Sequence, residues 1–184
     1  MALTLRAISA EDKDLYRETR LRALQDTPSA FGSTYAREVA FTDATWQERT
    51  ANLSTDRIGY LALDDDQPCG LIGGFPSTED PTSINVISMW VAPTHRRSGV
   101  GTSLINAVKE WAESRNASEL RLMVTSNNQS AMDFYLRNGF HPTGHTEPYP
   151  NDAALFEYEM LLPLRKSESS STCLFPVGPR LSES

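Results

Sequence analysis

The stretch INVISMWVAPTHRRSGVGTSLINAVKEW, residues 84–111, decides the fold of this chain. It starts as an apolar run rich in β-branched residues and passes Pro93 into a turn that contains Gly99 and Gly101. After the turn, apolar residues recur at the spacing of one helix face. The pattern predicts a strand, a glycine turn and an amphipathic helix, in that order.

The predicted turn is suited to hold a pyrophosphate. The first backbone N–H groups of a helix lack internal acceptors and lie at the positive end of its dipole. Glycines allow close approach of a ligand, and Arg96 and Arg97 add positive charge. A P-loop is excluded because Thr102 follows Gly101 where a lysine is required, and Leu104 replaces the third glycine of a dinucleotide fingerprint. A plain turn that uses glycine for tight packing is the alternative interpretation.

Composition limits the classes of protein that need to be considered. The chain has 184 residues, of which 39% are hydrophobic and 22% charged, which predicts one globular domain. We expect this domain to span residues 1–164 and the serine-rich residues 165–184 to form a disordered tail. The net charge of −7 argues against non-specific binding of nucleic acid and favours a cationic substrate.

The same residues argue against a membrane protein and against a metal site. No apolar run approaches the roughly 20 residues of a membrane span, and the first residues do not resemble an export signal. We therefore expect a cytoplasmic protein. Cys69 and Cys173 fit no metal spacing, and the three histidines lie in loop-like contexts without H-x-x-x-H spacing. We predict no metal.

Hydrophobic periodicity predicts the element order β-α-α-β-β-β-α-β-α-β. The last strand is predicted from the alternation of Phe156, Tyr158 and Met160 with two glutamates. Residues 144–153 are predicted to be a loop. In the short helix before them, Ser130 and Asp133 form a predicted capping box.

Two motifs in this order resemble the GNAT superfamily of acetyl-CoA-dependent N-acetyltransferases. Arg96-Arg97-Ser98-Gly99-Val100-Gly101 is similar to its R/Q-x-x-G-x-G/A pyrophosphate loop, and Val91-Ala92-Pro93 to the V-x-P that precedes it. The segment from Asn128 to Phe140, with Ser130-Ala131, Phe134-Tyr135 and Gly139-Phe140, resembles the second motif of the superfamily, N-x-x-[SA]-x-x-[FL]-Y-x-x-x-G-F. The resemblance covers roughly residues 3–164.

The resemblance implies an α+β fold, with a mixed, mostly antiparallel central sheet and helices on both faces. It also implies that the strand ending at Val91 and the strand at residues 120–125 splay apart and admit the pantetheine arm of acetyl-CoA. The residues implied to contact acetyl-CoA are Met89 and Val91 for the pantetheine, Arg96, Arg97, Ser98, Gly99, Val100, Gly101 and Thr102 for the pyrophosphate, and Asn128.

Tyr135 is the predicted catalytic residue. When an amine attacks the thioester, the departing thiolate needs a proton or a hydrogen bond, which a phenol on the facing helix could supply. The alternative is that Tyr135 is an aromatic core residue. The oxyanion of the tetrahedral intermediate would be stabilised by a backbone N–H near Met89.

The sequence leaves the base that deprotonates the amine open. The predicted strand before the pyrophosphate loop contains Asn85 and Ser88 but no acid. The loop carboxylates Glu79, Asp80 and Glu38 are candidates, as is Glu147, and a chain of water and hydroxyl groups is equally suitable.

The functional hypothesis is acetyl transfer from acetyl-CoA to a primary amine by direct attack in a ternary complex. The acceptor could be a polyamine-like or antibiotic amine, an amino acid or a peptide N-terminus, and Phe31, Tyr35 and Tyr149 suggest a partly aromatic pocket. A non-catalytic acyl-CoA sensor or interaction module and a nucleotide-binding regulator are the competing hypotheses. The expected partners are acetyl-CoA and the amine, with homodimer formation left open and no nucleic acid or membrane.

Overall fold

A computed structural model describes residues 3–53 and 56–164 of the chain. The predicted tail at residues 165–184 lies outside the described residues. Seven strands form a single sheet in the order β1-β2-β3-β4-β5-β7-β6. The strands are β1 Leu3–Ala7, β2 Ile58–Asp64, β3 Gln67–Pro76, β4 Ser83–Val91, β5 Glu119–Thr125, β6 His141–Pro148 and β7 Phe156–Pro163.

The α-helices of the described residues lie on both faces of this sheet. They are α1 Lys13–Asp26, α2 Tyr35–Val39, α3 Asp43–Asn52, α4 Val100–Ser114 and α5 Gln129–Arg137. The side chains of β2 and β3 alternate between the faces, so Leu61 and Leu71 pack with Trp46 of α3, whereas Ala62 belongs to the core that includes Leu104 of α4. The predicted α+β fold is confirmed.

The gap that the resemblance implies lies between β4 and β5, which form the one parallel pair among the described strands. They pair only from Ser83 opposite Glu119 to Asn85 opposite Arg121. Both strands continue past this point without pairing with each other. The sheet is therefore split at its centre.

The start of α4 confirms the predicted order of strand, glycine turn and helix. Gly99 is the N-cap residue of α4 and has φ +91°, a left-handed conformation that glycine adopts without steric cost. Val100, Leu104 and Val108 form the buried face of this helix. The apolar stripe read from the sequence is the face that packs on the sheet.

Strand β6 corrects the predicted loop at residues 144–153 and raises the number of strands from six to seven. The sequence did not reveal it because Pro142, Gly144 and Pro148 interrupt any alternation, and each of its residues is exposed. Such residues are tolerated here because β6 is an edge strand that pairs with β7 alone.

The predicted capping box of α5 is wrong. Asn128 is the N-cap residue, and its Oδ1 accepts a hydrogen bond of 3.1 Å from the backbone N–H of Ala131. Ser130 instead lies inside the helix. The predicted stop at Gly139 is confirmed, because this residue follows the helix with φ +89°.

Candidate functional site

A cavity of about 820 Å³ lies beside the start of α4, and we call it the loop cavity. It is bounded by the end of β4, the glycine turn and α5. Nine of the eleven predicted site residues line it, namely Met89, Val91, Arg96, Arg97, Gly99, Gly101, Thr102, Asn128 and Tyr135. Because the motifs are far apart in the sequence, only the fold brings these residues together.

The two predicted residues that do not line the loop cavity, Val100 and Ser98, make contacts within the protein. The side chain of Val100 is buried in the core. Ser98 Oγ donates a hydrogen bond of 2.5 Å to the backbone carbonyl of His95. Contact between these side chains and a cofactor stays a prediction, whereas their local packing roles are visible.

The first turn of α4 presents unpaired backbone donors. The first backbone bond into this turn runs from Ser103 N to Gly99 O, at 3.0 Å. Within the described residues, the N–H groups of Val100, Gly101 and Thr102 have no backbone acceptor. Three donors at the positive end of a 15-residue helix form an arrangement that binds anions such as phosphate.

Gly101 lies where this helix makes a close contact with α5 and β4. A Cβ atom placed on Gly101 would be 2.9 Å from Cζ of Phe134 and 3.1 Å from the methyl carbon of Met89. Any larger residue would have to displace these side chains, so the absence of a side chain keeps this wall of the cavity in its present shape.

The guanidinium group of Arg96 is exposed but paired. Its Nε donates to the backbone carbonyl of Val91 at 3.0 Å, and its Nη2 forms an ion pair with the carboxylate of Asp26. Trp90 Nε1 donates to the same carboxylate oxygen at 2.9 Å. Arg97 has no ion pair within residues 3–53 and 56–164 and is the more available cation.

Tyr135 lies at the inner end of the loop cavity. Its ring packs edge-on against Phe134 and Phe140, with centroid distances of 5.3 and 5.6 Å. Its hydroxyl has no hydrogen-bond partner among the described residues. Burial raises the pKa of Tyr135, so its phenol stays protonated and keeps a proton to donate.

A narrow space of about 70 Å³, which we call the passage, continues from the loop cavity between the splayed strands. Met89, Asn128 and Tyr135 line both the passage and the loop cavity. On the other side, Ser88 and Met123 line both the passage and a third space of about 410 Å³, the far cavity. The three spaces thus adjoin one another along the split in the sheet.

Two of the acidic side chains near the far cavity are neutralised by arginines. Arg20 clamps both carboxylate oxygens of Glu38 at 3.0 and 2.8 Å, and although burial opposes it, this contact holds the pKa of Glu38 below its ordinary value. Glu159 accepts hydrogen bonds from Thr143 and Arg121, which likewise hold its pKa low against the effect of burial.

Glu157 is the acidic side chain of the far cavity that keeps its charge uncompensated. It has no hydrogen bond or ion pair within the described residues. Burial raises the pKa of Glu157, and the neighbouring negative charge of Glu147 raises it further. A half-buried carboxylate of this kind is suited to accept a proton or to bind a cation.

Glu157 and Glu159 are functional candidates that the sequence interpretation missed. The alternation in β7 predicts a strand, but it was not used to assign a role to the two glutamates, which line the far cavity, whereas Phe156 is 49% exposed and Tyr158 37% exposed. The signal that could have identified them was the alternation itself, because acids at every second position share one face of a strand.

The acids named from the sequence lie elsewhere. Glu79 and Asp80 are exposed, Asp80 is bonded to Thr82, and Glu147 contacts His145 at 2.9 Å on the surface. None of the four named acids lines the far cavity, and Glu38 is already paired. Of the three residues predicted to form an aromatic pocket, Phe31 lines the far cavity and Tyr35 does not. The hydroxyl of Tyr149 donates to the backbone carbonyl of Phe31 at 2.7 Å.

In the described residues, no group of three or more His, Cys, Asp or Glu side chains could hold a metal ion. Within the same residues, no helix is long and apolar enough to cross a membrane.

Residues 20–140 match the family described as the acetyltransferase (GNAT) family. A streptothricin acetyltransferase of Escherichia coli is 32% identical over 114 residues, which are 56% of this chain and 66% of that protein. The chain covers between 14% and 66% of the lengths of the curated relatives that it matches.

Solved structures share the same fold. An acetyltransferase of the GNAT family from Streptococcus pneumoniae superimposes with a TM-score of 0.73 at 18% identity, covering 89% of this chain and 100% of that one. The PaiA N-acetyltransferase of Thermoplasma acidophilum, solved in complex with coenzyme A, gives a TM-score of 0.69 at 17% identity, covering 89% and 99% of the two chains.

Proposed function

The chain belongs to the GNAT family of acetyltransferases, and we propose on this basis that it transfers an acetyl group from acetyl-CoA to a primary amine by direct attack in a ternary complex. The observation that carries the proposal is that the loop cavity, the passage and the far cavity adjoin one another in this order along the split in the sheet. Two substrates that enter from opposite ends would meet at Tyr135 and Ser88.

In this proposal acetyl-CoA occupies the loop cavity. The unpaired N–H groups at the start of α4 and the free guanidinium of Arg97 would bind the pyrophosphate. The exposed edge of β4 near Met89 and Val91 would bind the pantetheine amides. A structural neighbour solved with coenzyme A supports this choice of cosubstrate.

The acceptor is proposed to be a small cationic amine that occupies the far cavity. Glu157 would attract the ammonium group and remove its proton, directly or through a water molecule, before attack. The volume of about 410 Å³ suits a small molecule. The similarity to a streptothricin acetyltransferase, whose name indicates an antibiotic substrate, supports the same class.

Mechanistically, the amine lone pair forms the new C–N bond while the carbonyl π electrons move to oxygen. The tetrahedral intermediate then collapses, the C–S bond breaks, and its electron pair leaves with sulfur. The nitrogen, which is positively charged after the attack, gives up a second proton to water and becomes the neutral amide nitrogen. Tyr135 would donate a hydrogen bond to the departing thiolate, which takes a proton from water to give free coenzyme A.

Release of free thiol from acetyl-CoA across a panel of amines tests this function, with mass spectrometry of the acylated product. The panel should contain aminoglycoside and peptide-like antibiotics, linear polyamines, amino acids and peptides. We expect at least one small cationic amine to gain 42 Da, the mass added by one acetyl group. Tight binding of acetyl-CoA without turnover of any amine would instead favour an acyl-CoA sensor, and equal affinities for ADP and coenzyme A would favour a nucleotide-binding regulator.

Glu157→Gln is expected to lower kcat/KM for the amine about 10- to 100-fold, because the glutamine cannot accept a proton. Steady-state kinetics at saturating acetyl-CoA would measure the loss. Glu48→Gln, an exposed change on α3, serves as the control and should leave the rate unchanged. An unaltered rate in the Glu157 variant would remove this residue from the mechanism.

The pH dependence provides a separate prediction for Glu157. Its pKa is raised by burial and by Glu147, while Arg121 and Arg20 face the same cavity with their charges paired to Glu159 and Glu38. Removing the Glu147 charge should lower the pKa of Glu157. The acidic limb of the rate profile of Glu147→Gln should therefore shift to lower pH than that of the wild type, measured with the same amine so that its own titration cancels. A shift to higher pH would contradict the assignment.

Asp26→Asn is expected to strengthen coenzyme A binding about two- to fivefold, because Arg96 loses a competing carboxylate that is partly exposed. Isothermal titration calorimetry at low and high salt would measure the change, with Asp14→Asn on the same helix as the control. Weaker binding would mean that Asp26 positions Arg96 for the cofactor instead of competing for it.

A further inference from the structure

Ser88 lies in an unusual backbone conformation at the centre of β4. It has φ +58°, a left-handed value that residues other than glycine seldom adopt. Between the pairs Ile87 with Gly73 and Trp90 with Leu71, β4 has two residues where β3 has one. This β-bulge turns Ser88 out of the regular alternation, which is a common way to redirect a side chain next to an active site.

The direction of the hydrogen bond at Ser88 leaves the serine proton unused. Arg20 Nη1 lies 3.0 Å from Ser88 Oγ. A guanidinium group can only donate, so the serine oxygen is the acceptor and its own proton must be directed elsewhere. Among the described residues, none accepts a hydrogen bond from the Ser88 hydroxyl.

The arginine that makes this contact is fixed. Its Nε and Nη2 donate to the two oxygens of Glu38, and its Cζ lies 4.7 Å from the centre of the Phe31 ring. Arg20 is 5% exposed and Glu38 is 1% exposed, so water does not compete for these contacts. A buried cation that donates to a hydroxyl group polarises it and makes its O–H a stronger donor.

Ser88 is also placed where the two substrates would meet. It lines both the passage and the far cavity. Tyr135, on α5, lines the passage as well. The passage therefore has two hydroxyl groups, each with a proton that no described residue accepts, contributed by different elements.

We propose that the Ser88 hydroxyl donates a hydrogen bond to the carbonyl oxygen of the acetyl group and stabilises the oxyanion that forms there. This role rests on the proposed acetyl transfer and assigns a side-chain donor in addition to the backbone N–H near Met89. When the amine attacks, the negative charge develops on this oxygen, and Ser88 keeps its proton throughout. The charge returns to form the carbonyl group when the C–S bond breaks, while Tyr135 acts at the sulfur.

Two variants distinguish the effect of the hydroxyl group on activity from the effect of the backbone strain. Ser88→Ala removes the hydroxyl and keeps a side chain at positive φ, whereas Ser88→Gly removes it and relieves the strain. Both are expected to lower turnover about 10- to 100-fold with coenzyme A affinity unchanged, because coenzyme A has no acetyl carbonyl. Full activity in the glycine variant would overturn the proposal by showing that only the backbone shape matters.

Infrared spectroscopy of bound acetyl-CoA, labelled with ¹³C at the carbonyl, tests the contact itself. A hydrogen bond from Ser88 lowers the carbonyl stretching frequency, so the frequency should be higher in Ser88→Ala than in the wild type. Ser83→Ala is the matched control, because Ser83 lies on the same strand with a buried hydroxyl that has no partner among the described residues and does not line the passage. Its frequency should equal that of the wild type.

The outcomes distinguish this inference from the proposed function. Equal frequencies in the wild type and Ser88→Ala would overturn the role of Ser88 even if amines are acetylated. If the carbonyl frequency differs between the wild type and Ser88→Ala but the protein acetylates no amine, the contact with Ser88 would be supported and the proposed transfer reaction would be overturned. If the wild type does not bind acetyl-CoA, both proposals fail.

Discussion

Replacing Gly101 with glutamate is expected to weaken coenzyme A binding at least about 100-fold, through two effects that act together. The Cβ atom alone would approach the ring of Phe134 to 2.9 Å and the methyl group of Met89 to 3.1 Å, so the cavity wall must move. The carboxylate would then place negative charge beside the N–H groups proposed to bind the pyrophosphate. Calorimetric titration with coenzyme A measures the loss.

Two controls separate bulk from charge in this experiment. Gly101→Ala introduces the contact without the charge and should give an intermediate affinity. Asn106→Glu adds the same charge at an exposed position farther along α4 and should bind coenzyme A as the wild type does. Unchanged affinity in Gly101→Glu, with circular dichroism that confirms folding, would refute the assignment of this loop to the pyrophosphate.

Replacing Tyr135 with phenylalanine is expected to lower kcat about 100- to 1,000-fold while the affinity for coenzyme A changes little. The ring would keep its contacts with Phe134 and Phe140, so the change removes one hydroxyl group from a well-packed site. Single-turnover measurements of thiol release at saturating amine report the loss directly.

The raised pKa of Tyr135 defines what its hydroxyl does. With ordinary pKa values of about 10 for a phenol and about 8.5 for a thiol, full proton transfer to the thiolate is already uphill by about 2 kcal/mol. Burial raises the pKa of Tyr135 and makes this transfer less favourable still. We therefore expect a hydrogen bond that strengthens late in the reaction, and no loss of activity from ionisation of Tyr135 at moderately alkaline pH.

Tyr16→Phe is the matched control for this variant. Tyr16 is 6% exposed, lies on α1 against Trp46 and does not line the loop cavity, the passage or the far cavity. It should keep full activity. If Tyr135→Phe also keeps full activity, Tyr135 is a core aromatic residue without a catalytic role.

The features that could be predicted from the sequence depend on residues close together in the chain. The strand, glycine turn and α4 follow from local periodicity and from the conformational freedom of Gly99, and the family follows from two short motifs. The stop of α5 at Gly139 has the same local cause. These predictions are confirmed, whereas the binding and catalytic roles of the individual residues stay predictions.

The features that were missed depend on contacts between distant segments. Strand β6 has no hydrophobic pattern of its own and exists because β7 supplies its hydrogen bonds. Asp26, which forms an ion pair with Arg96, is separated from it by 70 positions in the sequence. Glu157 could not be selected over four other acids, because its burial and its lack of a partner are properties of the far cavity.

The sequence by itself determined the family, the order of the main elements and the glycine turn, because periodicity, capping and motif spacing act over a few residues. Only the tertiary structure decided which charges are neutralised, which acid faces the acceptor side and where the two substrates could meet. The physical reason is that burial and pairing are set by segments far apart in the chain: Arg20 meets Ser88 and Glu38, and β4 parts from β5, only when the sheet has formed.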